Sequence, residues 1–248
     1  MPASNGRSAI ARRAMRALGG TALVGAAALA GCSGPHAPPP PAAPPPRKVV
    51  TVPPLPVPPN GASANLTVPP LDSSGLRQSV NRNISDAQSI WNLRSAYNVA
   101  ALNCTSARHA QLVPLYRAFL KTHAKALAKA NRTIDQEFKA KYGARFVGPR
   151  EQYMTSVYNH FALPPTLADF CDATLAMAHD AAAVKPVEFE AFAVRSLPNI
   201  EVVFDAFYRR YDAYRSDVAA WHAQYGDAQP GAQIVVASGA GKTEPTEG

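Results

Sequence analysis

Six basic residues have the spacing to hold an anion together. Arg117, Lys121, Lys125, Lys129, Arg132 and Lys139 are mostly three or four positions apart, which on a helix places them along one face. Like charges at that spacing cost about 0.2–0.5 kcal/mol per pair unless something compensates them. Compensation can come from inside the chain, with Asp205, Asp212 and Asp217 as candidates, or from an anionic partner outside it. A solvated face and a partner-binding face both remain open.

A second group could take a small ligand. His123 falls on the apolar side of the same helix. In the aromatic and polar run from Arg150 to Phe161, Tyr153, Val157 and His160 share one side. His123, Tyr153 and His160 are therefore candidate pocket residues; as core residues they would instead need hydrogen-bond partners within the bundle. His160, His179 and His222, with Met154 or Met177, offer metal donors but lack Cys-x-x-Cys-His, Glu-x-x-His or His-Glu-x-x-His spacing. No metal and no cofactor is assigned.

Catalytic signatures are weak. Carboxylates Glu188, Glu190, Glu201 and Asp205, or Asp169 and Asp172, could pair for acid–base work, but such pairs are common on any helix surface. There is no Gly-x-Ser-x-Gly elbow. Ser238-Gly239-Ala240-Gly241-Lys242-Thr243 imitates the end of a phosphate-binding loop. The pattern wants glycine where Val236 stands, and a helix where Pro245 follows. No enzyme activity is assigned.

The elements that must position these residues follow from composition. Of 24 prolines in 248 residues, 15 lie between Pro35 and Pro70. The expected organisation is a signal segment over 1–31, a Pro-rich disordered linker over 32–71, a helical domain over 72–228 and a disordered tail over 229–248. A polyproline II tether of this length reaches about 120 Å when fully extended. Charge is divided unevenly along the chain. Residues 73–150 carry 13 basic and 3 acidic side chains, whereas residues 151–248 carry 6 and 13. The two halves attract each other, or the first half meets an anionic partner.

Residues 1–31 begin with four arginines and continue through a Gly/Ala-rich apolar stretch, Ala17 to Ala30, too short for a comfortable membrane span. They end in Leu29-Ala30-Gly31-Cys32, and here the leader resembles the bacterial lipoprotein precursor class. The resemblance implies cleavage before Cys32, lipidation of its thiol and acylation of the new amino terminus. The partner it implies is therefore a lipid bilayer, reached through acylated Cys32. Ser33 rather than aspartate after the cysteine implies, in a Gram-negative cell, the outer membrane, with the body facing the periplasm. In that compartment the basic face would meet an anionic envelope component or an envelope protein, not nucleic acid. Cys104 and Cys171 then remain, either bridged across 66 intervening residues or as two free thiols.

Downstream of Ser73 the periodicity is helical. A first helix is expected from about Ser74 or Ser85 to Asn103, with Ser85 and Gln88 spaced for a capping box. A long second helix is expected from Ser106 to Gly143 with Pro114 kinking it, a third from Pro149 to Phe161, and a fourth from Thr166 to Val184. A short piece between Pro186 and Pro198 precedes the last helix. That helix carries Leu197, Ile200, Phe204, Phe207, Tyr211, Tyr214, Val218, Trp221 and Tyr225 at alternating three and four residues, a heptad seam that either a core or a dimer could use. The expected fold is all-α, an up-and-down bundle of about five or six helices. The functional expectation is an envelope lipoprotein presenting this bundle as a structural or adaptor module; the alternative is a carrier of a small hydrophobic ligand or metal within the bundle.

Overall fold

The computed structural model of the chain describes residues 47–237. The leader, Cys32 and the Ser238–Thr243 stretch lie outside the described residues.

The body is an all-α bundle of six helices: α1 (Asp86–Asn103), α2 (Leu112–Thr122), α3 (Ala124–Tyr142), α4 (Val147–Phe161), α5 (Leu167–Ala182) and α6 (Phe189–Tyr225). Local chemistry sets the ends. The Ser85 hydroxyl accepts from the Gln88 amide at 3.1 Å while the Gln88 side chain accepts from the Ser85 amide at 3.0 Å, closing the capping box. Gly143 and Gly226 stop α3 and α6 at φ of 60° and 57°, which other L-residues rarely adopt.

Helix α1 touches each of the other five helices. Its buried residues, Ser89, Ile90, Asn92, Leu93, Ser95, Ala96, Tyr97, Val99 and Ala100, cover more than half of the cylinder, with Trp91, Arg94 and Asn98 half-buried on the remaining side. Several of these are small, which lets neighbours approach its backbone closely. A helix buried over so wide an arc loses the narrow apolar stripe of a surface helix.

Two expected helix boundaries differ. The helix expected from Ser106 to Gly143 is two helices. Pro114 sits harmlessly in the first turn of α2, and the break falls at His123, with φ −104° and ψ 16°. Its ring is drawn into the core, stacked on Phe189 at 4.1 Å between centroids. Conversely, the short piece before Pro198 is continuous with the last helix, and Pro198 lies inside α6. Pro198 and Val194 are both on the exposed side, so the Val194 carbonyl deprived of its partner can bond water.

The largest departure concerns the Pro-rich segment. From Arg47 it is ordered and packed, rather than disordered through 71. Strand β1 (Arg47–Thr51) pairs antiparallel with β2 (Gln233–Ala237), from Arg47 opposite Ala237 to Thr51 opposite Gln233. The latter strand occupies the segment expected as a loose tail. Val52 is 1% exposed, and Ala62, Leu66 and Val68 pack on the core. The Tyr211 hydroxyl donates to the Ser63 carbonyl at 2.8 Å and accepts from the Leu66 amide at 3.0 Å. Buried Arg77 donates to the Pro69 carbonyl and to Asp212, with its guanidinium over the Tyr208 ring. The segment wraps the aromatic seam: Leu197, Ile200, Phe204, Phe207, Tyr211 and Trp221 are all buried within this one chain.

Candidate functional site

Cys104 and Cys171 form a disulfide, with Cα atoms 5.6 Å apart. It ties the end of α1 to α5.

The six cations are all exposed, but the break at His123 divides them. Arg117 and Lys121 lie on α2; Lys125, Lys129, Arg132 and Lys139 lie on α3. Among the described residues only Lys129 has an ion-pair partner, Glu190 at 2.7 Å. The expected internal compensation goes elsewhere. Asp212 pairs with Arg77 and Asp205 with Arg82, both in the loop that precedes α1. Five of the six cations therefore face solvent unneutralised by any side chain within ion-pair distance.

Tyr153 and His160, both on α4, are joined through α1, the preceding loop and α6 by a chain of polar groups in which Asn92 is buried and the others are half-buried. The Tyr153 hydroxyl donates to Asn92 Oδ1 at 2.9 Å, and Asn92 Nδ2 donates to Asn81 Oδ1 at 2.7 Å. Asn81 Nδ2 donates to Glu201 Oε1 at 2.6 Å, and the Ser79 hydroxyl to Oε2 at 2.9 Å. His160 Nε2 lies 2.8 Å from Glu201 Oε1. A carboxylate only accepts, so this nitrogen carries the proton. Burial would raise the Glu201 carboxyl, but the His160, Ser79 and Asn81 donors together outweigh it and hold the group below its ordinary value. Burial pushes the Tyr153 phenol well up, with the Asn92 bond opposing, so the ring serves as a neutral donor.

His123 is not part of that network. It is 2% exposed between Phe119 and Phe189, with Nδ1 unpartnered, and burial holds its basicity below the ordinary histidine value. The three residues expected around one pocket thus occupy two places. Tyr153 alone of them lines a cleft of about 450 Å³ beside α3 and α4, whose walls include Phe138, Tyr142, Gln152, Glu137 and Lys141.

The residues that sequence reasoning missed are Ser79, Asn81 and Asn92. Asn92 carried at most a weak signal, an amide between Trp91 and Leu93 in the middle of a helix; Ser79 and Asn81, in a loop without periodicity, carried none. Among the described residues no three His, Cys, Asp or Glu side chains converge as metal ligands, and no helix is long and apolar enough to cross a membrane.

Comparison with protein-family models, curated proteins and solved structures finds no match to this chain. What the fold and site define is a class, a disulfide-tied all-α bundle with an exposed cationic face.

Proposed function

We propose that the chain is a bacterial envelope lipoprotein, anchored through acylated Cys32, that presents its helical bundle as an adaptor to an anionic envelope surface. The observation that carries the reading is the cationic face of α2 and α3. Its charges stay exposed while Asp205 and Asp212, two of the three acids expected to quench them, pair with Arg82 and Arg77 in the loop before α1, and only Lys129 meets an acid, Glu190. Near an anionic surface each lysine contributes about 1 kcal/mol, a pull that salt screens.

The test is binding of the purified protein to vesicles containing anionic lipid, compared with neutral vesicles. Reversing Lys121, Lys125 and Lys129 to glutamate should weaken binding about 100-fold or more at low salt, with the melting temperature unchanged. Equal binding by wild type and variant would overturn the reading.

The carrier reading has one supporting observation, the aromatic cleft beside Tyr153, where Phe138 stacks with Tyr142. Native mass spectrometry distinguishes the two: a carrier retains a small bound mass, an adaptor purifies empty.

A further inference from the structure

Ser106, His109 and Asp172 form a hydrogen-bonded array at the turn between α1 and α2. The Ser106 hydroxyl oxygen lies 2.7 Å from His109 Nδ1, and His109 Nε2 lies 2.7 Å from Asp172 Oδ1. The carboxylate only accepts, so Nε2 bears the ring proton, and in the neutral imidazole Nδ1 presents its lone pair to the serine hydroxyl. The geometry puts the serine hydroxyl on one side of the basic ring and the orienting carboxylate on the other.

The surroundings suit reaction at the serine. The imidazole is 4% exposed, so water has little access to the base, while Ser106 is exposed and open to a substrate. Arg108 donates to the other oxygen, Asp172 Oδ2, at 2.8 Å and fixes the carboxylate from its outer side. The two halves of the array come from different elements, and the disulfide clamps them. Cys104 stands two residues before Ser106, and Cys171 immediately precedes Asp172. Ser106 and His109 line a cleft of about 440 Å³ whose other wall is Pro164, Leu167, Ala168 and the disulfide. That wall is apolar, suited to a short acyl chain.

We propose that Ser106 is an acyl-accepting nucleophile, with His109 as its general base and Asp172 as the positioning residue, acting on small acyl esters. Ser106 Oγ attacks the ester carbonyl as its proton passes to His109 Nδ1, and Asp172 stabilises the imidazolium through Nε2–H. The carbon–oxygen bond to the leaving alcohol breaks as Nδ1 returns that proton to it, leaving acyl-Ser106. Water then attacks the acyl-serine while Nδ1 takes its proton. The tetrahedral intermediate expels Ser106 Oγ, which recovers the proton from Nδ1, and the carboxylic acid is released. The ring nitrogens are exchanged relative to the usual serine-hydrolase arrangement, but the sequence nucleophile, base, orienter is kept. This activity is independent of the cationic face and stands or falls separately from it.

The test treats the full-length oxidised protein with a fluorophosphonate, which bonds covalently to activated serine hydroxyls. A single adduct is expected on the peptide containing Ser106, absent in Ser106→Ala, whose fold is checked by circular dichroism because it leaves the buried His109 Nδ1 without its hydroxyl partner. Asp172→Asn should slow labelling at least tenfold while the protein stays folded by circular dichroism, because loss of the orienting carboxylate removes most of the base's advantage. Short-chain nitrophenyl esters should give a burst of one equivalent in wild type and none in Ser106→Ala. No adduct, an adduct that survives Ser106→Ala, or labelling indifferent to Asp172→Asn would each overturn the assignment and leave the array as a structural cap.

Discussion

The indole N–H of Trp221 donates to the carbonyl oxygen of Pro53 at 3.0 Å, across 168 positions of sequence. One residue belongs to the aromatic seam and the other to the Pro-rich run. Along the far half of α6 these two features are each other's partners. A seam that by pattern alone suits a dimer is covered by the same chain.

Removing the Tyr211 hydroxyl should loosen the ordered Pro-rich segment, which straps the far half of α6, before the bundle. Tyr211→Phe leaves the Ser63 carbonyl and the Leu66 amide without their shared hydroxyl, at a cost of about 1–3 kcal/mol. Amide exchange at 62–68 should rise sharply while α1 stays protected. Uniform loss of protection in both would show that strap and bundle unfold as one unit.

The disulfide should be worth about 4 kcal/mol, because it closes a loop between positions 67 apart. Replacing both cysteines with alanine should lower the denaturant midpoint accordingly. Equal midpoints for the oxidised protein and the double variant would contradict this estimate.

Glu201→Gln should cost about 1–3 kcal/mol at neutral pH, since three donors are built around a charged acceptor. The wild-type carboxyl sits below the ordinary glutamate value of about 4.3, so the unfolded chain binds its proton first as pH falls. The stability it contributes is fully present above that pH and is lost on acidification through the folded value. Denaturant midpoints for wild type and variant should therefore converge as pH drops below about 4. A constant gap would place the stabilisation elsewhere.

Cys32→Ala should abolish incorporation of labelled palmitate and release the protein from the membrane fraction. Retention of label by the variant would remove the lipoprotein reading altogether.

The ends of the helices were legible because their signals are local. Ser85 with Gln88, Gly143 and Gly226 act within one turn of themselves, and the Leu197–Trp221 seam repeats a single side-chain rule. The strap was not legible, because the bulk of its bonding uses groups every residue possesses. Pro53, Ser63 and Pro69 accept through backbone carbonyls, which leaves no trace in residue identity. Pro198 misled because its cost depends on whether the carbonyl one turn earlier can reach water, which is a property of the packed helix. The candidate site divided along the same line. Tyr153 and His160 stood out by type, but their link runs through Asn92, Asn81 and Glu201, and its bonds reach across as many as 120 positions.

The strand pair also fixes how the body responds to mechanical load. Arg47 and Ala237 face each other across the ladder at the two limits of the described residues, and the register runs inward from them. Tension applied at Arg47 and Ala237 opens the ladder one bonded step at a time, instead of shearing all its bonds together. The ribbon is then a low-force fuse. It lengthens the molecule under pull while the disulfide-tied helices behind it stay intact.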